Sequence, residues 1–106
     1  MGFFYIVTNA QCGPCKIFKS SHQFEKLVKF LFDNIQNVNV YWYEASSFGG
    51  SYTAKEVFVD NNGKLTFEET NVRQDIVNSV NTFPQLIYQR MVDGKILAIL
   101  ILPIHT

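Results

Sequence analysis

Apolar and polar residues recur along this chain with two different periods, and the change between them outlines the secondary structure. Residues 3–8 are an uncharged run of aromatic and β-branched residues, which predicts a short buried strand. Over residues 14–35 apolar positions recur with helical spacing, which predicts one amphipathic helix with Ile17 on its apolar face and Lys19 on its polar face. Residues 38–44 are again β-branched and aromatic, so they predict a second strand.

The second half of the chain predicts a hairpin, a short helix and a returning pair of strands. Alternating apolar residues on both sides of the Asp-Asn-Asn-Gly sequence at 60–63 indicate a β-hairpin. Residues 71–81 favour a short helix capped by Asn71. After a break at Phe83-Pro84, two strands are predicted to pair around a tight Asp-Gly turn at 93–94.

Length, composition and charge limit the classes of protein to consider. The chain has 106 residues, 47% of them hydrophobic and 15% aromatic, which is enough for one domain with its own core. Its formal net charge of zero, without a basic stripe, argues against nucleic-acid binding. The apolar N-terminus lacks the basic leader and cleavage site of a signal peptide. We therefore expect a cytoplasmic protein that does not bind membranes.

The motif that carries chemistry is Cys12-Gly13-Pro14-Cys15, which holds the only two cysteines of the chain. Thiols with this spacing on the first turn of a helix can close a small disulfide ring and reopen it. A structural bridge this short would stabilise the fold very little, because the effect of a disulfide grows with loop length. We interpret Cys12, at the N-cap side, as the nucleophile and Cys15 as the resolving thiol. Gly13 would permit close approach and Pro14 would restrain the turn.

Zinc binding is the competing interpretation of a Cys-x-x-Cys pair. A structural zinc normally takes four protein ligands, and only His22 and His105 are available beside the two cysteines. Neither histidine stands at a recognisable zinc-ligand spacing. We therefore predict no metal site.

The order of elements, with the Cys-Gly-Pro-Cys tetrapeptide at one junction and Phe83-Pro84 at another, resembles the thioredoxin superfamily over nearly the whole chain. The tetrapeptide is identical to that of thioredoxins, and the sequence Thr82-Phe83-Pro84-Gln85 is similar to the Thr-Val-Pro-Gln of glutaredoxins. The resemblance implies an α/β thioredoxin-like fold, a mixed central sheet flanked by helices in one domain (1–106). Here it would have an inserted loop and hairpin at 46–70 and no C-terminal helix. It also implies a cis Phe83–Pro84 bond beside the cysteines, with Thr82, Phe83 and Pro84 contacting substrate.

The same resemblance implies a thiol–disulfide oxidoreductase that reduces protein disulfides through a Cys12–Cys15 cycle. Its partners would be disulfide-containing proteins and a reductase. It would hold no bound cofactor, and an external reductase or glutathione would donate the electrons.

Two alternatives remain open. A glutathione-dependent glutaredoxin usually has a basic residue before the cysteines and a Gly-Gly-Asp signature after the last strand, and this chain has neither. A non-enzymatic interaction module of the same fold is the other, since Gln11 replaces the usual Trp and Ile6 replaces a buried aspartate.

Residues 96–102, Ile-Leu-Ala-Ile-Leu-Ile-Leu, are apolar on both faces of a predicted edge strand. A strand that is apolar on both faces needs cover on both sides. We therefore expect a homodimer or another partner contact at this strand.

Overall fold

The described residues form a central mixed sheet of six strands. The computed structural model describes residues 1–46, 51–80 and 84–103, with only the backbone of 98–99 and 101–103. The strands are β1 (Gly2–Asn9), β2 (Val38–Ala45), β3 (Tyr52–Val59), β4 (Leu65–Thr70), β5 (Gln85–Val92) and β6 (Lys95–Pro103). The helices are α1 (Gly13–Lys19), α2 (His22–Asn34) and α3 (Gln74–Ser79). The α/β class expected from the sequence is confirmed, and the elements follow the expected order except that two helices lie between β1 and β2.

The strand order is β4-β3-β2-β1-β5-β6, with β1 and β2 parallel and every other neighbouring pair antiparallel. Parallel neighbours need a crossover connection, and α1 and α2 supply it between β1 and β2. The hairpin of β3 and β4 extends the sheet beyond β2, within the 46–70 segment whose residues 47–50 lie outside the described ranges.

The two faces of the sheet bury separate apolar clusters. On one face, Phe24 and Val28 of α2 pack against Ile6 and Trp42. On the other face, Ile76 of α3 packs with residues of β1, β2, β3 and β5. Side chains of β2 alternate between the two faces, because Trp42 belongs to the first cluster and its two tyrosine neighbours to the second. Within the described residues, no helix is long and apolar enough to cross a membrane.

The predicted single helix over 14–35 is wrong, since Ser21 divides it in two. The Ser21 hydroxyl donates to the Phe18 carbonyl at 2.7 Å, and its oxygen accepts from the Phe24 N–H at 3.1 Å. The Ser21 side chain therefore hydrogen-bonds to the last turn of α1 and also caps the N-terminus of α2. The break changes the helical phase, so Ile17, expected on the buried face, is 73% exposed. For the same reason Lys19, expected on the polar face, is half-buried.

The two turns predicted from sequence are confirmed, and one predicted cap is wrong. The Asp60 carboxylate accepts from the N–H groups of Asn62 and Lys64, which closes the β3–β4 turn. Asp93 and the following glycine both adopt positive φ, as a two-residue hairpin turn requires. Asn71 does not cap α3, because the N-cap residue of that helix is Arg73, two residues later. The Arg73 N–H donates instead to the Tyr43 hydroxyl, at 3.0 Å.

Replacement of Ser21 tests whether this hydroxyl holds the junction of the two helices. We expect Ser21→Ala to lower the free energy of unfolding by about 1 kcal/mol, because the Phe24 N–H loses its cap. Denaturant titration followed by circular dichroism measures the change. The matched control is the neighbouring exposed Ser20, whose replacement by alanine should stay within about 0.5 kcal/mol of the parent. Equal losses in the two variants would contradict the capping role.

Candidate active site

A tight turn at the end of β1 brings the chain into the cysteine motif. The Asn9 carboxamide oxygen accepts from the Gln11 N–H at 3.0 Å, and the Asn9 carbonyl accepts from the Cys12 N–H at 3.1 Å. The Ala10 N–H donates to the Ala45 carbonyl at the end of β2, at 2.9 Å. These hydrogen bonds fix Cys12 at the end of the sheet where the parallel strands β1 and β2 both terminate.

Cys12 is the N-cap residue of α1. Its Sγ accepts a hydrogen bond from the Cys15 N–H at 3.1 Å, and its carbonyl accepts from the Lys16 N–H. Cys12 and Cys15 form a disulfide, with their Cα atoms 5.2 Å apart. Pro14 lies in the first turn, where a missing N–H costs the helix little. Sequence reasoning therefore placed the two cysteines correctly relative to the helix.

The two sulfur-bearing residues differ in burial and in surroundings. Cys15 is 1% exposed and Cys12 is 8% exposed. Gly13 and Pro14 between them are exposed, as is Ile17 one turn further along α1. A reaction partner can therefore approach the bridge from the side of residues 12–14, while Cys15 is held inside.

Strand register places Pro84 at the same end of the sheet as the cysteines. Gln85, the first residue of β5, pairs with Val7 in the antiparallel β1–β5 ladder. Pro84 therefore stands beyond this pair, toward the end of β1 that leads into the cysteine turn. Its side chain is half-buried. Thr82, Phe83 and the Phe83–Pro84 peptide bond lie outside the described residues.

The buried surroundings of the motif hold a hydroxyl that sequence reasoning missed. Thr8 is 3% exposed, and its hydroxyl donates to the Tyr43 carbonyl at 2.8 Å. Ile6, two residues earlier on the same face, is fully buried in the apolar cluster that includes Phe24 and Trp42. A threonine near the end of an apolar strand carries no sequence signal that separates a buried hydroxyl from an exposed one.

Lys19 does not stand in solvent, as its predicted place on the polar face implied. Its ammonium lies 4.8 Å from the ring centre of Phe67 and 5.6 Å from that of Trp42, in cation–π geometry. Burial lowers the pKa of Lys19, and the nearby Lys55 lowers it further, while Glu44 opposes both. This lysine is therefore held against Trp42 and Phe67 below α1.

No group of three or more histidine, cysteine, aspartate or glutamate side chains that could hold a metal ion occurs among the described residues. His22 is exposed on α2. His105 lies outside the described ranges.

A second polar cluster sits on the opposite face of the sheet, around Arg73. Its guanidinium donates to the Tyr5 hydroxyl, forms an ion pair with Asp75 and lies 5.9 Å from the ring centre of Phe3. The Tyr5 ring is fully buried and stacks on Tyr41. Burial raises the pKa of Tyr5 to about 12, although the positive charge of Arg73 opposes this shift. Each polar group of this cluster has a partner, so we interpret it as structural support for α3.

Comparison of the chain with models of known protein families, with curated proteins and with solved structures found no significant match. The sequence motif and the geometry described above therefore carry the functional argument.

Reduction of the bridge should reveal the difference between the two thiols. We expect Cys12 to react with iodoacetamide at least about tenfold faster than Cys15, because the Cys15 N–H stabilises a thiolate at Cys12 and Cys15 is buried. Fragment-ion mass spectrometry of the peptide that contains both residues measures the two rates. In denaturant, as the control, the rates should converge. Faster modification of Cys15 in the folded protein would reverse the assigned order.

Alkaline titration tests the burial of the Tyr5 hydroxyl. An unfolded tyrosine ionises near pH 10, whereas Tyr5 stays protonated in the folded protein up to about pH 12. Between these values the unfolded chain binds fewer protons, so the free energy of unfolding falls as the pH rises. We expect this fall to be about 2 kcal/mol smaller in Tyr5→Phe than in the parent, as measured by denaturant titration across the window. Identical pH dependence in the two proteins would refute the assignment.

Proposed function

We propose that this protein is a thiol–disulfide oxidoreductase that reduces disulfides in other proteins through Cys12 and Cys15. The observation that carries the proposal is the hydrogen bond from the Cys15 N–H to the Cys12 Sγ within a closed Cys12–Cys15 bridge. A backbone donor aimed at one sulfur favours the thiolate there, and thiolate is the reactive form of cysteine.

The reaction begins with the reduced protein. The Cys12 thiolate attacks one sulfur of the substrate disulfide, and the other substrate sulfur leaves as a thiolate that takes up a proton. A mixed disulfide then joins Cys12 to the substrate. Cys15 loses its proton and attacks the Cys12 Sγ, which releases the second substrate thiolate. Two electrons have passed to the substrate, and the protein holds the Cys12–Cys15 bridge.

The described structure supports separate roles for the two thiols. Cys12 borders the exposed residues Gly13 and Pro14, where a bulky substrate can approach. Cys15 is 1% exposed and one helical turn away, so it reaches the Cys12 sulfur more readily than it reaches an external disulfide. This asymmetry limits the first attack to Cys12 and the release step to Cys15.

A thioredoxin-like fold is part of the proposal. The mixed sheet covered by helices on both faces supports it, as does the position of Pro84 at the same sheet end as the cysteines. The backbone around Pro84 would receive an extended segment of the substrate protein as an added strand. Thr82 and Phe83 would complete that contact. In the cytoplasm, an external reductase or glutathione would return the protein to its dithiol form, with no bound cofactor.

Cysteine replacement tests the assigned roles in an insulin-reduction assay with dithiothreitol as the reductant. We expect Cys12→Ser to slow reduction to the rate of dithiothreitol alone, because the remaining thiol, Cys15, is 1% exposed and does not reach an external disulfide. Cys15→Ser should instead accumulate a mixed disulfide with the substrate, visible by mass under non-reducing conditions, because release is blocked. Ser20→Ala, on the exposed side of the helix junction, is the control and should keep parent activity.

The same assay separates the alternatives. Turnover that requires glutathione would favour a glutathione-dependent glutaredoxin. Full turnover by Cys12→Ser would refute the mechanism. A folded parent protein that shows no turnover with either reductant would favour the non-enzymatic interaction module.

A further inference from the structure

Strand β6 forms one edge of the sheet and presents an open backbone ladder. It runs for nine residues, Lys95–Pro103, and β5 is its only neighbour in the described part of the chain. Nine residues of extended strand measure about 30 Å. A strand of this length with unpaired N–H and C=O groups along its outer side can accept another strand.

The two edges of the sheet differ in their protection. The opposite edge, β4, carries Glu68 and Glu69, both exposed. Residues 96–102 of β6 carry no charge at all. Charged side chains on an edge oppose pairing with another chain, so β4 is protected. The β5–β6 register shifts at Leu97, which has no partner in β5, and residues 98–103 of β6 pair regularly and carry no charge.

Among the described side chains of β6, three large apolar ones are exposed. Leu97 is 64% exposed, Leu100 is 55% exposed and Ile96 is 43% exposed. A single exposed leucine is ordinary on a protein surface, but three large apolar residues within five positions are not. Ile96 pairs with Met91 and Leu100 with Tyr88, which point to opposite faces of β5, so apolar side chains are exposed on both faces of this edge. Strand β6 therefore offers a partner strand both backbone hydrogen-bonding groups and apolar side chains.

We propose that β6 pairs antiparallel with β6 of a second copy of this chain, so that a two-fold axis joins the two sheets into one. An axis through residue 99 aligns Leu97 with Ile101 and Ile96 with Leu102 of the other copy. The one charged residue of the strand, Lys95, then falls at the end of the ladder, beside Pro103. No two like charges face each other, so the strand is complementary to itself.

Charge also selects this closed pairing over an open chain of copies. Pairing of β6 with the β4 edge would lay Glu68 and Glu69 along an uncharged ladder and remove water from their carboxylates. Self-pairing of β6 avoids that cost. Because each copy has one β6, the assembly closes at two copies rather than growing.

The dimer would leave both cysteine sites open. In each copy the last residue of β6 pairs with Gln85, at the sheet end that holds the cysteine turn. A two-fold axis reverses strand direction, so the cysteine ends of the two copies point opposite ways. The pairing therefore does not depend on the proposed redox function, and either can fail without the other.

Sedimentation equilibrium tests the proposal, using the full chain from about 1 µM to about 500 µM. We expect a monomer–dimer equilibrium for the parent. The double variant Leu97→Lys/Leu100→Lys should raise the dissociation constant by at least about 100-fold, because it places charges on both strands of the ladder. The matched control is Phe30→Lys, which changes an apolar residue that is 60% exposed on α2 and should dimerise like the parent.

Three outcomes would overturn the proposal: a parent that stays monomeric throughout the range, a double variant that dimerises like the parent, or species that keep growing beyond two copies. Hydrogen exchange of the parent supplies a test that does not depend on the folding of any variant. Amides of 95–102 should gain protection as the concentration rises, while those of β4 should not change. Protection that appears on β4 instead would place the contact at the wrong edge.

Discussion

Strand β1 is the constraint on which the remaining structure depends, because it is paired on both sides and covered on both faces. Each of its eight residues has a partner in the parallel strand β2, and β5 pairs antiparallel on the other side. Tyr5 and Ile6, adjacent in sequence, are each fully buried in opposite apolar clusters. A shift of β1 by one residue would exchange these two faces, so the register is strongly fixed. Because β1 is fixed, the turn that follows it is fixed as well, and this turn positions the cysteine motif.

Much of this architecture could be predicted from the chain alone, because its local signals agree with its long-range packing. The apolar runs predict strands, and the Asp60 turn and the Asp-Gly turn at 93–94 predict hairpins. All of these elements occur in the sheet as predicted. The position of the cysteines at the head of a helix followed from the strand before them and from Pro14. These predictions rest on patterns within a few residues.

The errors occurred where a tertiary contact overrides local preference. Helical spacing continues through Ser21, yet the hydrogen bonds of its hydroxyl and its N–H end one helix and begin the next. Lys19 is typical of a solvent-facing position in sequence, yet two aromatic rings hold its ammonium. Asn71 is a good cap by composition, but the Tyr43 hydroxyl anchors Arg73 and moves the start of α3. Local sequence patterns do not reveal these side-chain contacts, because most of the partners are distant in the sequence.

The aromatic cluster beneath α1 has a consequence for how this protein can be observed. The chain contains one tryptophan, Trp42, which is 2% exposed and lies under Phe18 and Lys19 of the helix that carries the two sulfurs. Indole emission depends on nearby rings and charges, so it originates here from a single defined place. A small displacement of α1 on opening or closing of the bridge would change the light emitted by this one residue. The fold thus contains an intrinsic optical probe of its own helix, with no label attached.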